Sequence, residues 1–221
     1  MSKKIFAYGS QAQTSGNHIW DRMEIQPYIA NEPRLLRPAN FPSRAPGRGS
    51  ILLEVAGERI GIINLMGRTY MKDIDCPFQV AEKEVTNLSR DARILLVDFH
   101  AEATSEKQAM KYYLDGRVSA VVGTHTHVQT ADAHITRNGT AYITDVGMSG
   151  PHDSILGMKV DAALDRFLSG LPRRMTSADG DVRLSGVVIN VDTATGRATA
   201  IRAFQEPFDL SKVVADPNDD D

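Results

Sequence analysis

Histidines are the residues of this chain whose type and spacing could do chemistry. His100 directly follows the apolar run 94–99, and His125 and His127 come shortly after the apolar run 118–122. Short apolar runs predict buried strands, and ligands of α/β proteins gather at the carboxyl ends of neighbouring parallel strands. We therefore expect these three histidines to meet at one edge of a sheet.

The spacing of these histidines predicts a metal site. In an extended segment, residues two apart such as His125 and His127 point to the same side. Imidazoles from two strand ends can bind Zn, Mn, Fe or Ni. The Gly-containing loop 15–18 offers two further candidates, His18 and the weaker neutral ligand Asn17. A lone histidine after a strand is more often a structural residue, and His-x-His alone is a weak signal. We favour the metal interpretation because three such positions coincide with strand ends.

Composition and charge narrow the class of partner. The formal net charge is -3, from 25 Lys and Arg against 28 Asp and Glu. This balance predicts no broad attraction to nucleic acid or to an anionic membrane, so stable binding to either is disfavoured. An RNA-binding module is the alternative suggested by four arginines around the Pro- and Gly-rich loop 40–49. We interpret these arginines instead as a solvated rim or a phosphate-steering patch: Arg34, Arg37, Arg44 and Arg48.

The compartment predicted by the sequence is the cytoplasm. The single cysteine, Cys76, rules out an intramolecular disulfide and gives no sign of an oxidising compartment. The first residues carry lysines but no apolar core of a signal peptide, and no apolar stretch reaches the length of a membrane span.

Apolar periodicity predicts the elements that must position the histidines, and we expect an α/β fold. Helices are predicted over 20–30, 77–88, 105–114 and 160–168, and strands over 51–55, 59–65, 94–99, 118–122, 134–136, 140–144, 182–191 and 197–204. The strand–helix–strand order over 94–122 indicates a parallel βαβ unit. With no repeat or linker in sight, we predict a single domain over 1–214 and an acidic disordered tail over 215–221.

Five longer stretches resemble one enzyme family. Gly16-Asn17-His18, then His100, then the pair His125 and His127, follow the motif order of calcineurin-like metallophosphoesterases. The phrases 16–21, 37–42, 98–107, 123–132 and 142–148 resemble the YmdB-like branch of that family. The resemblance runs from about residue 16 to about residue 191.

The resemblance implies a fold, an activity and a set of roles. The fold would be a calcineurin-like sandwich of two mixed sheets flanked by helices. The activity would be hydrolysis of a small phosphodiester, such as a 2',3'- or 3',5'-cyclic nucleotide, by a hydroxide activated by Fe or Mn. Asn17, His100 and His125 would bind one metal and His127 a second. His18 would be catalytic, supporting either the leaving group or the attacked phosphate, and in its protonated form could donate to the leaving ribose oxygen. The resemblance leaves the residues that bind the substrate unassigned.

The start of the chain suggests an incomplete version of this site. The family carries an Asp ligand and a bridging Glu upstream of the Gly-Asn-His motif, whereas residues 1–15 contain neither Asp nor Glu. We therefore expect an N-terminally truncated sandwich that holds one or two metals, because two dications without carboxylates repel each other. Four acidic residues near the motifs are candidates to replace the missing carboxylate ligands: Asp21, Asp98, Glu102 and Asp145. Of these, Asp21 and Asp98 are expected instead to orient neighbouring residues.

The expected truncation leaves a second function open. The alternative is a catalytically impaired remnant that binds at most one metal or a nucleotide and acts through protein contacts. A missing strand would also expose a sheet edge, which favours a homo-oligomer.

Overall fold

Two stacked sheets with flanking helices form the computed structural model, which describes residues 1–208. The helices are α1 Ser2–Ala7, α2 Ile25–Asn31, α3 Pro77–Leu88, α4 Thr104–Leu114 and α5 Val160–Ser169. The strands are β1 Ser50–Val55, β2 Glu58–Met66, β3 Ile94–His100, β4 Ala120–Thr124, β5 His134–Ile135, β6 Ala141–Ile143, β7 Gly150–Pro151, β8 Val182–Val191 and β9 Ala198–Pro207.

The larger sheet positions the histidines. Its strand order is β1-β2-β3-β4-β6-β5, with β2, β3, β4 and β6 parallel and the two edge strands antiparallel. The predicted βαβ unit is confirmed as β3–α4–β4. His100 pairs in register with Met66 on one side and Thr124 on the other. The carboxyl ends of three parallel strands therefore meet at His100.

Helices α3 and α4 close one face of this sheet and make the main core. Apolar side chains of both helices pack on those of the central strands, and fully burying each large one contributes roughly 1.5–3 kcal/mol; the buried cluster includes Ala81, Val85, Leu95, Val97, Phe99, Met110 and Leu114. Helix α3 begins at Pro77, a residue suited to the first helical position because no backbone N–H is needed there.

The second sheet covers the opposite face. Within residues 1–208 it comprises β7, β8 and β9, all antiparallel. Small and branched side chains of both sheets pack against one another between them: Leu96, Ala120, Ile135, Ala141, Ile189, Ala198 and Ile201. The predicted α/β sandwich is confirmed.

Two of the boundary errors bear on the site, and a third, away from it, is the strand predicted over 197–204, which is Ala198–Pro207. The helix predicted over 20–30 begins at Ile25, because Pro27 lacks an N–H and is tolerated only in the first turn of a helix. Turns occupy residues 17–20 instead. The strand predicted over 118–122 is Ala120–Thr124, so His125 is the first residue after it. Helix α1 and the short strand β7 were not predicted.

Two further expectations concern other parts of the chain. The tail predicted over 215–221 lies outside the described residues, and the single domain over 1–214 stays a prediction. Over residues 1–208, no helix is both long and apolar enough to cross a bilayer.

Candidate metal centre

His100 lies under the Gly16-Asn17 loop at the end of β3. Its Nε2 atom is 2.7 Å from Oδ1 of Asn17. A Cβ atom on Gly16 would lie 2.2 Å from both Cε1 and Nε2 of the imidazole, a separation that real atoms do not reach. Only glycine therefore lets this loop bring Asn17 onto the ring.

A hydrogen-bond chain fixes the tautomer of His100. Thr124 donates its hydroxyl hydrogen to Oδ1 of Asp98 at 2.8 Å, and the same hydroxyl oxygen lies 3.1 Å from Nδ1 of His100. Because the hydroxyl hydrogen is committed to Asp98, Oγ1 accepts from Nδ1–H, and Nε2 keeps its lone pair. A second-sphere chain of this kind is typical of metal-binding histidines.

Burial keeps this group in the form that binds metals. It lowers the pKa of His100 to about 4, with the neighbouring His125 and Lys107 adding to the effect, so the imidazole is neutral at pH 7. Burial also raises the pKa of Asp98 to about 6, although hydrogen bonds from Thr14 and Thr124 favour the carboxylate. Asp98 is therefore ionised at pH 7 and can accept from Thr124.

His125 completes a cluster of three electron-pair donors. Its Nδ1 lies 3.0 Å from Nε2 of His100, and its Nε2 lies 2.9 Å from Oε2 of Glu102. Glu102 accepts the Nε2 hydrogen, which leaves the Nδ1 lone pair directed at the cluster. Burial lowers the pKa of His125, and Glu102 acts against that shift. Three lone-pair atoms thus converge, from Asn17, His100 and His125.

The donor set fits one divalent transition metal. Two imidazole nitrogens and an amide oxygen face one another without a hydrogen to share, and a cation between them would satisfy all three. Over residues 1–208, however, no group of three or more His, Cys, Asp or Glu side chains is arranged to hold a metal ion. The cluster therefore supplies part of a coordination shell.

His127 lies apart from this cluster, on the exposed surface close to His125. The segment is not extended as the sequence argument assumed, because β4 ends at Thr124 and both histidines adopt positive φ, 103° for His125 and 67° for His127. The premise of the sequence prediction, an extended segment, was therefore wrong. The structure joins His100 to His125 and leaves His127 outside.

His18 forms an exposed pair with Asp21 next to the cluster. Its Nδ1 lies 2.8 Å from Oδ2 of Asp21, and its side chain is 77% exposed. A protonated His18 lowers the pKa of His100, so the two rings are within electrostatic reach. Asp21 orients its neighbour, as the sequence indicated.

The arginine loop does not form a phosphate-binding surface around Arg37. That side chain is only 7% exposed and donates to the carbonyl oxygens of Pro38 and Pro46. It holds the loop together, which removes one of the arginines on which the RNA-binding alternative depended.

Comparison with known proteins settles the family. The family model described as YmdB-like protein matches residues 1–204. The chain belongs to the YmdB-like family. Over 193 residues this family member is 51% identical to a Bacillus subtilis protein named 2',3'-cyclic-nucleotide 2'-phosphodiesterase, with 87% of this chain and 73% of the relative covered.

Solved structures agree with the YmdB-like fold. A hypothetical protein from Thermus thermophilus is 40% identical with a TM-score of 0.87, covering 93% of this chain and 80% of that one. A structure described as a novel phosphatase from Mycoplasma pneumoniae is 34% identical with a TM-score of 0.85, covering 93% of this chain and 75% of that one. The α/β sandwich is thus shared with phosphatase-type relatives.

Sequence reasoning missed the roles of several residues in this YmdB-like site. Thr124 links His100 to Asp98, and Lys107 and Thr126 both contact Asp145. All of these residues lie inside the five stretches that resemble the family, and that position is the one sequence feature that could have pointed to them. A threonine or lysine gives no periodic pattern that would reveal a contact with a distant strand.

Proposed function

We propose that this YmdB-like protein is a metal-dependent phosphodiesterase that opens the cyclic phosphate of a 2',3'-cyclic nucleotide. Its relatives are named phosphodiesterase and phosphatase, so the chain belongs to a family of phosphoester hydrolases. One observation carries the metal part of the proposal. Three lone-pair atoms meet within hydrogen-bonding distance, namely Oδ1 of Asn17, Nε2 of His100 and Nδ1 of His125.

The proposed ligands of the metal are Asn17, His100 and His125. When bound, a divalent metal such as Fe or Mn lowers the pKa of water and withdraws charge from the phosphate oxygens. Burial favours the neutral form of both imidazoles. The hydrogen bonds from Thr124 to Asp98 and His100, and the contact of Glu102 with His125, orient the two rings. We propose His127 as the residue that would contact a second cation.

His18 is the proposed general acid. Hydrolysis forms a bond from a water oxygen to phosphorus and breaks the bond from phosphorus to the ribose O2', which must gain a proton. Asp21 holds Nδ1 of His18 at 2.8 Å, so Nε2 is the nitrogen that would deliver that proton. Proton donation by a positioned side chain typically contributes about 10²–10⁴-fold in rate.

A second candidate function has a specific observation in its favour. Residues 1–208 supply only part of a coordination shell, and His127 lies outside it. This favours a protein that binds one metal or a nucleotide without turnover and acts through protein contacts. The cytoplasmic location and the homo-oligomer inferred from sequence stay predictions.

The test is a hydrolysis assay in which phosphorus NMR follows the substrate. Chelator-treated protein would be given 2',3'-cyclic AMP or 3',5'-cyclic AMP, with or without added Mn²⁺ or Fe²⁺. We expect the 2',3'-cyclic phosphate to open to a monoester only with metal. His100→Ala should abolish this turnover. His134 is an exposed histidine on β5, and His134→Ala should leave the turnover unchanged.

Each outcome decides between the candidates. Metal-dependent opening of the 2',3'-cyclic substrate supports the phosphodiesterase. Preference for the 3',5'-cyclic substrate would change the proposed substrate and keep the reaction. Well-folded protein that binds metal but turns over neither nucleotide would support the second candidate.

A further inference from the structure

The backbone that carries His125 and His127 is strained. Both residues have positive φ, 103° and 67°, in the region that side chains other than glycine rarely adopt. Such conformations persist only where the surroundings over-determine them, and they cluster at functional sites. Thr126 lies between the two, so its contacts decide whether the loop keeps this shape.

A buried ion pair holds Thr126. Oδ2 of Asp145 accepts the backbone N–H of Thr126 at 2.9 Å and its hydroxyl at 2.7 Å. The same oxygen is 2.9 Å from Nζ of Lys107, while Oδ1 accepts the N–H of Gly147 at 2.9 Å. The side chains of Lys107 and Asp145 are each only 1% exposed.

The ion pair connects two elements, α4 and β6, to one loop. Lys107 lies on α4, shortly after the strand that ends at His100, and Asp145 follows β6. Burying two charges has a large desolvation cost, and a protein with an apolar pair of similar volume in their place is often equally stable or more stable. A buried pair whose carboxylate accepts four hydrogen bonds, two of them from the strained loop, therefore suggests a role beyond filling the core.

We propose that Thr126, Asp145 and Lys107 are positioning residues that hold His125 beside His100. The inference rests on the proposed metal site, which it deepens. Asp145 fixes Thr126 through two hydrogen bonds, and this fixes the left-handed turn at His125. Without that turn the Nδ1 atom of His125 would leave its place 3.0 Å from Nε2 of His100.

The first test compares three variants by cobalt titration. Thr126→Val removes the hydroxyl that Asp145 accepts, and Thr126→Ser keeps it. Ser119→Ala is the matched control. Ser119 directly precedes β4, at the end of that strand away from Thr126, and its buried hydroxyl donates to the carbonyl oxygen of Gly196. We expect Thr126→Val to bind Co²⁺ about 10–100-fold more weakly, with altered visible absorption. Thr126→Ser and Ser119→Ala should bind as the unmodified protein does, even where the melting temperature falls.

The second readout needs no metal. The His100 and His125 rings lie with centroids 4.7 Å apart, close enough for a nuclear Overhauser effect between imidazole protons in metal-free protein. We expect this signal in the unmodified protein and in Thr126→Ser, and its loss in Thr126→Val. Asp145→Asn, which removes the charge facing Lys107, should lose it as well.

The two measurements distinguish a failure of the positioning role from a failure of the proposed metal-dependent function. If Thr126→Val keeps both the ring signal and the cobalt affinity, the positioning role is overturned. If the unmodified protein binds no cobalt, the proposed function fails, and the ring signal alone then decides whether Thr126 positions His125.

Discussion

The amide oxygen of Asn17 lies 2.7 Å from Nε2 of His100, although the residues are 83 positions apart. The Nδ1 hydrogen of His100 is used by Thr124, so two electron-pair donors face each other at hydrogen-bonding distance. A bound cation explains why such a contact is built, and His125 adds a third donor. Substitutions that disturb this cluster should therefore change metal binding.

Gly16→Ala should disrupt the cluster of Asn17, His100 and His125 through a clash with the imidazole of His100. The new Cβ would lie 2.2 Å from two atoms of the His100 ring, so either the ring or Asn17 must move. We expect metal binding to be lost and the free energy of unfolding to fall by about 1–3 kcal/mol, the usual cost of overpacking. Gly61→Ala is the control, because its Cβ would crowd Leu95 and Leu88 in the core instead. It should lower stability similarly and keep Mn²⁺ affinity, and equal metal binding by both variants would contradict the account.

Thr124→Val should weaken metal binding without changing the shape of the site. The substitution removes the hydroxyl between Asp98 and His100, so the tautomer of the imidazole is no longer fixed. Loss of such a partner typically lowers metal affinity or activity about 10–100-fold. Calorimetric titration with Mn²⁺ measures the change, and Thr124→Ser should restore most of the affinity. An unchanged affinity in Thr124→Val would show that the tautomer is fixed in another way.

His18→Ala should reveal its role through the leaving group. A ribose oxygen needs a proton as it departs, whereas p-nitrophenolate is stable without one. We expect kcat for 2',3'-cyclic AMP to fall about 10²–10⁴-fold and kcat for bis-p-nitrophenyl phosphate to fall far less. Asp21→Asn, which alters the partner of His18, should show the same contrast more weakly. Equal losses on both substrates would exclude proton donation by His18.

Acid should act on metal-free protein through two opposing groups. The pKa of His100 is lowered from 6.5 to about 4, so the unfolded chain binds more protons and stability falls as pH drops through that window. The pKa of Asp98 is raised from 3.8 to about 6, so the folded chain binds more protons and stability rises as pH drops from about 6. The two contributions largely offset each other between pH 6 and pH 4.

Asp98→Asn should expose the His100 contribution. Without the opposing carboxyl group, the melting temperature should fall more steeply between about pH 6.5 and pH 4 than in the unmodified protein. His100→Asn should show the reverse, a flatter or rising profile on acidification. Parallel profiles for all three proteins, measured by thermal melts in chelator, would contradict the assigned pKa directions.

The elements that could be predicted from sequence are those whose apolar residues follow a single pattern, typical either of a helix or of a strand. β8 matches its predicted bounds, and β3 extends the predicted run by one residue, because continuous or alternating apolar residues specify buried strands. The start of α2 was missed because apolar residues recur at helical intervals upstream of Pro27, where turns form instead. A local pattern does not determine where competing turns begin.

The candidate site was predictable in its residue types and only partly in its geometry. Strand ends placed His100 and His125 correctly at one sheet edge. The position of His127 was not predictable from spacing, because the turn at Thr126 depends on Asp145, 19 positions further along the chain. A contact between distant segments imposes the positive φ values, and no local sequence pattern carries it.

The most direct test of the metal site is a Mn²⁺ titration of chelator-treated protein, with free Mn²⁺ measured by electron paramagnetic resonance. We predict saturable binding of at least one Mn²⁺ per chain, loss of that binding in His100→Ala and in His125→Ala, and unchanged binding in His134→Ala. Equal Mn²⁺ binding by His100→Ala and the unmodified protein, or no binding by either in folded protein, would contradict the assignment of Asn17, His100 and His125 as a metal centre.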